Sequence, residues 1–97
     1  MIYHIVVQSE WSLQANHDLY FPADFNSVGF IHCCTYSQLK GVLQRYFQDR
    51  SDLLLLSIDE HMLDAELKYE PGLNGELFPH LYGPINSKSI VKVELIR

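Results

Sequence analysis

The feature that most constrains the fold is an unbroken apolar run, Leu53-Leu54-Leu55-Leu56-Ser57-Ile58. A strand with one face in water alternates apolar and polar residues, whereas a strand that is buried on both faces does not. This run shows no such alternation, and it is far too short to cross a membrane. It therefore predicts the central strand of a sheet.

The rest of the chain predicts one long helix beside several further strands. Leu39 and Leu43 belong to an apolar stripe at helical spacing, which predicts a helix over 36–49. Thr35 and Gln38 have the spacing of a capping box at its start. Shorter elements are predicted as strands at 2–8, 29–34, 65–70 and 91–95, and as helical turns at 9–18, 24–29 and 59–63. Residues 1–97 are predicted to form one α+β domain, with the long helix packed on a mostly antiparallel or mixed sheet.

The segment 78–86, Phe78-Pro79-His80-Leu81-Tyr82-Gly83-Pro84-Ile85-Asn86, combines many apolar side chains with two prolines. A proline has no N–H for a strand ladder, and it breaks a helix. The segment is therefore predicted to pack as a wall and not as a central strand. Because neighbours on an extended chain point to opposite sides, His80 and Tyr82 are predicted to share the side opposite Leu81.

Charge and cysteine content narrow the function classes. The formal net charge of -5 argues against a general nucleic-acid binder, which needs a basic face, but not against a small anionic ligand held by local donors. The two cysteines, Cys33 and Cys34, are adjacent, and adjacent residues rarely form a disulfide. Two reduced thiols predict a cytoplasmic protein. No signal peptide or membrane segment is predicted, and the oligomeric state is left open.

Standard motifs of catalytic and metal sites are missing from the sequence. The five histidines are scattered, without His-x-x-x-His or Cys-x-x-Cys spacing, so no metal site is predicted. Cys33 and Cys34 are predicted to be buried apolar side chains, with a nucleophilic cysteine as the alternative. Glu66 is predicted to lie on a solvated face. Glu70 lies at a strand end before a Pro-Gly turn, and its role as an acid or base is left open.

The remaining candidates are polar side chains in apolar surroundings, namely His4, His32, His80, Tyr82 and Thr35. A histidine in an apolar segment must find a hydrogen-bond partner or face a cleft. Thr35 lies where a strand end meets a helix N-terminus, a common place for a ligand. One interpretation of these residues is a ligand site. The other, which the sequence leaves equally open, is three core histidines bonded to backbone carbonyls.

Six stretches of the sequence carry a resemblance to a known family: Ile2-Tyr3-His4, Trp11, Gly29-Phe30-Ile31-His32-Cys33, Leu53-Leu54-Leu55-Leu56-Ser57-Ile58-Asp59, Tyr69-Glu70 and the 78–86 segment given above. They resemble the bacterial DUF952 family, a domain of unknown function, nearly from end to end. That family is similar to the ADP-ribosyltransferase fold, whose split sheet binds NAD in a central cleft. The resemblance therefore implies a split mixed or antiparallel sheet with one long helix and short helices.

Within that fold, the chain resembles the catalytic lobe of tRNA 2'-phosphotransferase. Tyr3-His4 matches that lobe's Tyr-His-Gly-Thr strand, 30–35 loosely matches its His-Val-His-Leu-Ser strand, and 53–59 matches its apolar strand ending in Asp. Two departures stand out. Ile5-Val6 replaces the Gly-Thr pair, and the few arginines lie on or after a helix and at the C-terminus. Transfer of an RNA 2'-phosphate is therefore not implied.

What the resemblance implies is a cleft that holds NAD, ADP-ribose or a related nucleotide as a small-molecule ligand. In this cleft His4 would hydrogen-bond a ribose hydroxyl, and His32 and Thr35 would line the same wall. His80 would also contact the ligand, and Tyr82 would stack on a ring.

Two functions from different classes follow from the resemblance. The first is an enzyme that uses NAD, a transferase or glycohydrolase acting through an oxocarbenium-like ribose, with His4, His32 and Glu70 as its catalytic residues. The second is a non-catalytic module that binds ADP-ribose, NAD-like ligands or a protein partner. The missing Gly-Thr pair and the lack of an arginine clamp favour the second. The two histidines together with the glutamate favour the first.

Overall fold

The computed structural model describes residues 1–14 and 16–97, with the backbone alone at Leu73. Its strands are β1 (Ile2–Val7), β2 (Leu19–Tyr20), β3 (Ile31–His32), β4 (Leu53–Ile58), β5 (Glu66–Pro71), β6 (Leu77–Tyr82), β7 (Ile85–Asn86) and β8 (Ile90–Leu95). Its α-helices are α1 (Gln8–Ser12), α2 (Phe25–Val28) and α3 (Leu39–Tyr46). Short 3-10 turns occupy Tyr36–Gln38, Glu60–Met62, Leu73–Gly75 and Ser87–Ser89. The chain thus has an α+β fold with most of its regular structure in strands.

Two three-stranded antiparallel sheets form the body of the fold. The first, which we call the β4 sheet, has the order β1-β4-β8. The second, the β6 sheet, has the order β3-β6-β5. A separate antiparallel pair joins β2 to β7. The position of β4 in the middle of its sheet, with all six residues buried, confirms the prediction made from its apolar run.

The β4 sheet is covered on both faces, which explains why its central strand has no polar alternation. On one face, which we call the helix face, Ile5 and Leu55 pack against the apolar side of α3, including Leu39 and Leu43. The opposite face, which we call the core face, packs against the β6 sheet. The buried residues of that core are Ile2, Val6, Tyr20, Ile31, Cys33, Leu54, Leu56, Ile58, Leu81 and Ile85.

The long helix is present but is shorter than predicted. It begins as a 3-10 turn at Tyr36, and α3 ends at Tyr46. Phe47 leaves helical geometry, with φ at -132°, and its ring packs on the helix face. The capping box at the start is formed as predicted, since Gln38 Oε1 accepts the Thr35 N–H at 3.0 Å.

The first predicted helix, at 9–18, is also shorter, because α1 ends at Ser12. The four-residue spacing of Trp11 and Ala15 predicts that they share a helix face, but Ala15 lies outside the described residues. Trp11 packs against the core, with its ring centroid 5.3 Å from that of Tyr20. None of the helices in the described part of the chain is long and apolar enough to cross a membrane.

The wall predicted for 78–86 is wrong for its first half, because β6 is a strand and is the central one of its sheet. A proline lacks only its own N–H, so it weakens the ladder only on the side that this part of its backbone faces. Here the Pro79 C=O accepts the Cys33 N–H at 3.1 Å, so the backbone of Pro79 faces β3. Because Pro79 has no N–H, the ladder between β6 and β3 lacks one hydrogen bond at the end of β3, which is only two residues long. The alternation is as predicted, with Pro79 and Leu81 buried on the core face and with His80 and Tyr82 on the other face.

Gly29 turns the chain from α2 into β3. Its φ of 91° lies in the left-handed region that glycine adopts without strain.

Candidate functional site

The two sheets meet along β1 and β3 and then separate. Tyr3 and Cys34 exchange both of their backbone hydrogen bonds at 2.8 Å, and within the described chain they form the single bridge between these strands. A continuous antiparallel ladder would next pair Ile5 with His32. Instead, His4 Nδ1 lies 2.7 Å from the His32 carbonyl oxygen. The imidazole thus takes the place of a backbone N–H, and the strands diverge around it.

This separation leaves the backbone of Ile5 at an open strand edge. The N–H and C=O groups of Tyr3 face β3, so by alternation those of Ile5 face the same way, whereas those of His4 and Val6 pair with β4. Within the part of the chain that the structure describes, neither backbone group of Ile5 has a hydrogen-bond partner. The Ile5 side chain packs on the helix face. The edge therefore offers one donor and one acceptor side by side.

A cavity of about 760 Å³ opens at the separation of the two sheets. Its volume lies within the range of ordinary small-molecule sites. Aromatic rings make much of its wall, namely Tyr3, Tyr20, Phe30, Tyr46, Phe47 and Phe78. Three of the predicted site residues also line it, namely His4, His32 and His80. None of these six rings is a predicted site residue, and Tyr46 and Phe47 also fit the apolar stripe of a helix.

The charged side chains of the wall are acidic. Glu10 and Asp24 line the cavity, and none of the described lining residues is a lysine or an arginine. Glu10 Oε1 accepts the Ala23 N–H at 2.7 Å and the Tyr20 hydroxyl at 3.4 Å. Burial, and then the neighbouring Glu10, raise the pKa of Tyr20, so its hydroxyl stays protonated. Such a wall attracts neutral or cationic rings and repels phosphate.

Two of the lining histidines favour their neutral forms. Burial lowers the pKa of His4, and the bond to the His32 carbonyl offsets part of that effect. With Nδ1–H as the donor, His4 keeps Nε2 as an acceptor. Partial burial, and then the nearby His80, lower the pKa of His32, whose ring centroid lies 5.7 Å from that of His80. The wall therefore presents imidazole acceptors with little positive charge.

His80 is oriented by a carboxylate. Its Nδ1 lies 3.0 Å from Glu70 Oε1, and the same oxygen accepts the Tyr82 hydroxyl. The bond from Tyr82, and then the bond from His80, lower the pKa of Glu70, while the carboxylate raises the pKa of Tyr82. Phe30 stacks on the His80 ring, with the centroids 4.1 Å apart and the planes at 22°. Because Nδ1 is engaged, Nε2 is the His80 nitrogen left for a ligand.

Three of the predicted site residues do not line the cavity. Thr35 precedes the 3-10 turn before α3, and its hydroxyl oxygen lies 3.2 Å from that of Ser37. Glu70 and Tyr82 contact each other beside the cavity, and Lys68 lies 4.9 Å from the centroid of the Tyr82 ring. These side chains support their neighbours and have no direct access to the cavity.

The alternative of three core histidines bonded to backbone carbonyls fits His4 alone. His80 bonds a carboxylate, and the exposed ring of His32 has no hydrogen bond within the described residues. Cys33 and Cys34 are free and buried, as an apolar role predicts. Burial raises the pKa of both thiols, to about 12 for Cys34, which disfavours the thiolate that a nucleophile needs.

Most of the residues that build this cleft lie within a match to a protein family. The sequence matches the family described as Protein of unknown function (DUF952) over residues 5–93. The chain belongs to this family. The DUF952 match begins within β1 and ends within β8, and it includes the β6 sheet and α3. Of the cavity wall, Tyr3 and His4 lie before the matched residues.

Solved structures similar to this DUF952 chain include those of protein CC0527 from Caulobacter crescentus. The crystal structure of CC0527 matches this chain with a TM-score of 0.86 and 28% sequence identity. The match covers 96% of this chain and 82% of the CC0527 chain. The solution NMR structure of CC0527 matches with a TM-score of 0.83 and 27% sequence identity. This match covers 98% of this chain and 83% of the CC0527 chain. A search of the curated proteins finds no match.

Proposed function

We propose that the cleft binds the nicotinamide–ribose end of NAD or of a related nucleotide, and that this chain acts as a binding module. The observation that carries the proposal is the open edge of β1 at Ile5 inside an aromatic cavity. A carboxamide has both an acceptor and a donor, so it complements the free N–H and C=O groups of Ile5. The flat ring that bears the carboxamide stacks on the aromatic wall.

The lining histidines suit the sugar of such a ligand. A ribose hydroxyl can donate or accept a hydrogen bond, so it can pair with an imidazole Nε2. His4 and His80 each line the cavity with Nδ1 engaged, which leaves Nε2 of each ring for a ribose hydroxyl. The separation of two sheets past a single bridge also supports the ADP-ribosyltransferase-like arrangement, in which a nucleotide lies in a split sheet.

The charge of the wall decides which end of NAD enters the cavity. The oxidised nicotinamide ring is cationic, so aromatic faces and the carboxylates of Glu10 and Asp24 attract it. The pyrophosphate is anionic and finds no lysine or arginine among the described residues of the wall. We therefore infer that the ring and its ribose lie inside and that the phosphates remain in solvent.

A second candidate is an NAD glycohydrolase or transferase, and the orientation of His80 by Glu70 favours it. In hydrolysis, the bond between ribose C1' and the nicotinamide nitrogen breaks, and nicotinamide leaves with the bonding electrons. Water adds to C1', and its proton passes to His80 Nε2. However, Glu70 is engaged with His80 and Tyr82 and lies off the cavity wall, so it is poorly placed to steer the ribose. This favours the binding module.

Calorimetric titration with matched ligands tests the proposal. Nicotinamide mononucleotide is expected to bind about tenfold or more tightly than nicotinic acid mononucleotide, because a carboxylate cannot donate to the Ile5 C=O and is repelled by Glu10 and Asp24. Chromatography of NAD incubated with the protein then separates the two candidates. Binding without released nicotinamide supports the module, and released nicotinamide supports the enzyme. If none of these nucleotides binds, both candidates are wrong.

Substitutions of two exposed histidines provide the matched control. His32→Ala removes a ring that lines the cavity and has no hydrogen bond in the described chain, so affinity for nicotinamide mononucleotide should fall while the melting temperature is kept. His61→Ala removes an exposed ring outside the lining and should change neither quantity. Equal affinities for the two variants would remove His32 from the site.

A further inference from the structure

We infer that β8 pairs with the β8 strand of a second copy of this chain, so that two β4 sheets join into one. This interaction goes beyond the proposed ligand site. β8 is an outer strand of its sheet. The Ile96 N–H bonds the Leu53 C=O, so even-numbered residues face β4 and odd-numbered residues turn their N–H and C=O groups outward. An open edge of this kind is a template for another strand.

The side chains of this edge are unusually apolar for a surface strand. Val91, Val93 and Leu95 have exposed fractions of 56%, 43% and 62%. Val93 lies opposite Leu56, and Leu95 lies opposite Leu54, so these two side chains extend the core face of the sheet toward the edge. A second β8 placed alongside would cover part of this apolar strip, and burial of apolar surface favours association.

The charges on the helix-face side of β8 favour a register centred on Val93. If an antiparallel pair is centred on Val93, Lys92 of each copy lies opposite Glu94 of the other. The outward-facing backbone of Val93 then pairs with its own counterpart, as the ladder requires. Registers centred on Lys92 or on Glu94 would place like charges opposite each other, which destabilises a pair of strands. The sequence of β8 is thus complementary to itself about Val93.

Edge strands are often protected from pairing by a lysine or a bulge. Here Lys92 lies 3.4 Å from Glu94 of the same strand, so its charge is balanced and does not repel a second copy. The register shift in the sheet lies between Ser57 and Ile58, opposite the beginning of β8, and leaves the ladder from Lys92 to Leu95 regular. The edge is therefore open where the complementary residues lie.

Sedimentation analysis of charge-reversal variants tests the inference. The wild-type protein is expected to form dimers as its concentration rises. Lys92→Glu and Glu94→Lys each place like charges opposite each other across the pair, so each alone should dimerise about tenfold or more weakly. Mixing the two variants puts opposite charges in contact again and should restore dimers. The double variant K92E/E94K should also dimerise as the wild type does.

Lys40→Glu is the matched control for Lys92→Glu, because it makes the same change in net charge at an exposed position of α3. It should leave dimerisation unchanged, and circular dichroism should show that all variants remain folded. A wild-type protein that stays monomeric at the concentrations used for NMR would overturn the inference. So would a dimer that persists undiminished in both single variants, because it would use another surface.

Discussion

Three histidines in similar apolar contexts find three different environments. His4 donates to a backbone carbonyl, His80 donates to a carboxylate, and His32 keeps an exposed ring at the cavity. Removing a histidine that donates to a backbone carbonyl lowers the free energy of unfolding by about 1–3 kcal/mol, because the buried acceptor loses its hydrogen bond. At the scale of single residues, His4 therefore combines a structural role with its place on the cavity wall.

The first prediction concerns acid stability. Burial lowers the pKa of His4 below its ordinary value of 6.5, so in acid the unfolded chain binds a proton that the folded chain does not. The stabilising effect is complete above about pH 6.5 and is lost as the pH falls toward the folded pKa. The free energy of unfolding, measured with urea between pH 7.5 and about pH 5, should fall less steeply in His4→Gln than in the wild type.

Glutamine is chosen because it is a polar side chain that does not bind a proton in this pH range. His17→Gln, which replaces an exposed histidine, is the control and should keep the wild-type slope. An unchanged slope in His4→Gln would show that this imidazole does not contribute to acid sensitivity.

The second prediction concerns the adjacent thiols. Cys33 and Cys34 are both buried, and their raised pKa values keep the reactive thiolate scarce at neutral pH. Titration of the native protein with a disulfide reagent should therefore show little fast reaction, whereas both thiols should react at once in denaturant. Rapid stoichiometric labelling of either thiol in the native protein would revive the nucleophile interpretation.

At the scale of elements, Gln38 connects the start of α3 to the start of β6. Its Nε2 donates to the Leu77 C=O at 2.7 Å and to Glu76 Oε2 at 3.1 Å, while its Oε1 accepts from Thr35. The residue is buried, so truncation strands several polar groups at once. α3 and β6 both supply parts of the cavity wall, so this one side chain helps to fix their spacing.

The third prediction follows from these bonds. Gln38→Ala should lower the free energy of unfolding by about 1–3 kcal/mol, because a buried carbonyl loses its donor. Gln44→Ala, at an exposed position of the same helix, should change it by less than about 0.5 kcal/mol. Urea titration of both variants measures the difference. Equal losses of unfolding free energy in the two variants would mean that the hydrogen bonds of Gln38 do not stabilise the fold.

Elements with a strong local signal could be predicted from the sequence, and those decided by distant partners could not. The apolar run of β4 and the capping box of Thr35 and Gln38 were correct because each depends on neighbouring residues. The central place of β6 was missed, because Pro79 is acceptable only where its backbone faces the end of β3. The local sequence does not show which neighbouring strand the backbone of a proline faces.

The candidate site shows the same division at the scale of the whole molecule. The closeness of His4 and His32 could be expected from their apolar contexts and from the family resemblance. The gap at Ile5 could not, since it arises where two sheets that are far apart in sequence stop pairing. The aromatic wall was hidden for a similar reason, because Phe30 and Phe78 reach the cavity only when β3 and β6 pair.

The fourth prediction concerns the way in which the two sheets are joined. His4 and Ile5 have equal exposed fractions of 8%, but the N–H of His4 is in the β4 ladder and that of Ile5 faces the gap. Hydrogen exchange measured by NMR should therefore be about tenfold or more faster at Ile5 than at His4 and Val6. Similar protection at all three amides would mean that the edge of β1 is covered.

The bridge between Tyr3 and Cys34 has a mechanical consequence. The shared core fixes the two sheets against each other by packing, whereas at their edges this bridge is the one described backbone link. Beyond the bridge, the His4–His32 bond is the one described hydrogen bond between β1 and β3, so few polar contacts set the width of the cavity mouth. A substitution at the bridge is therefore expected to alter the mouth, and with it the size of ligand admitted, more readily than the packing behind it.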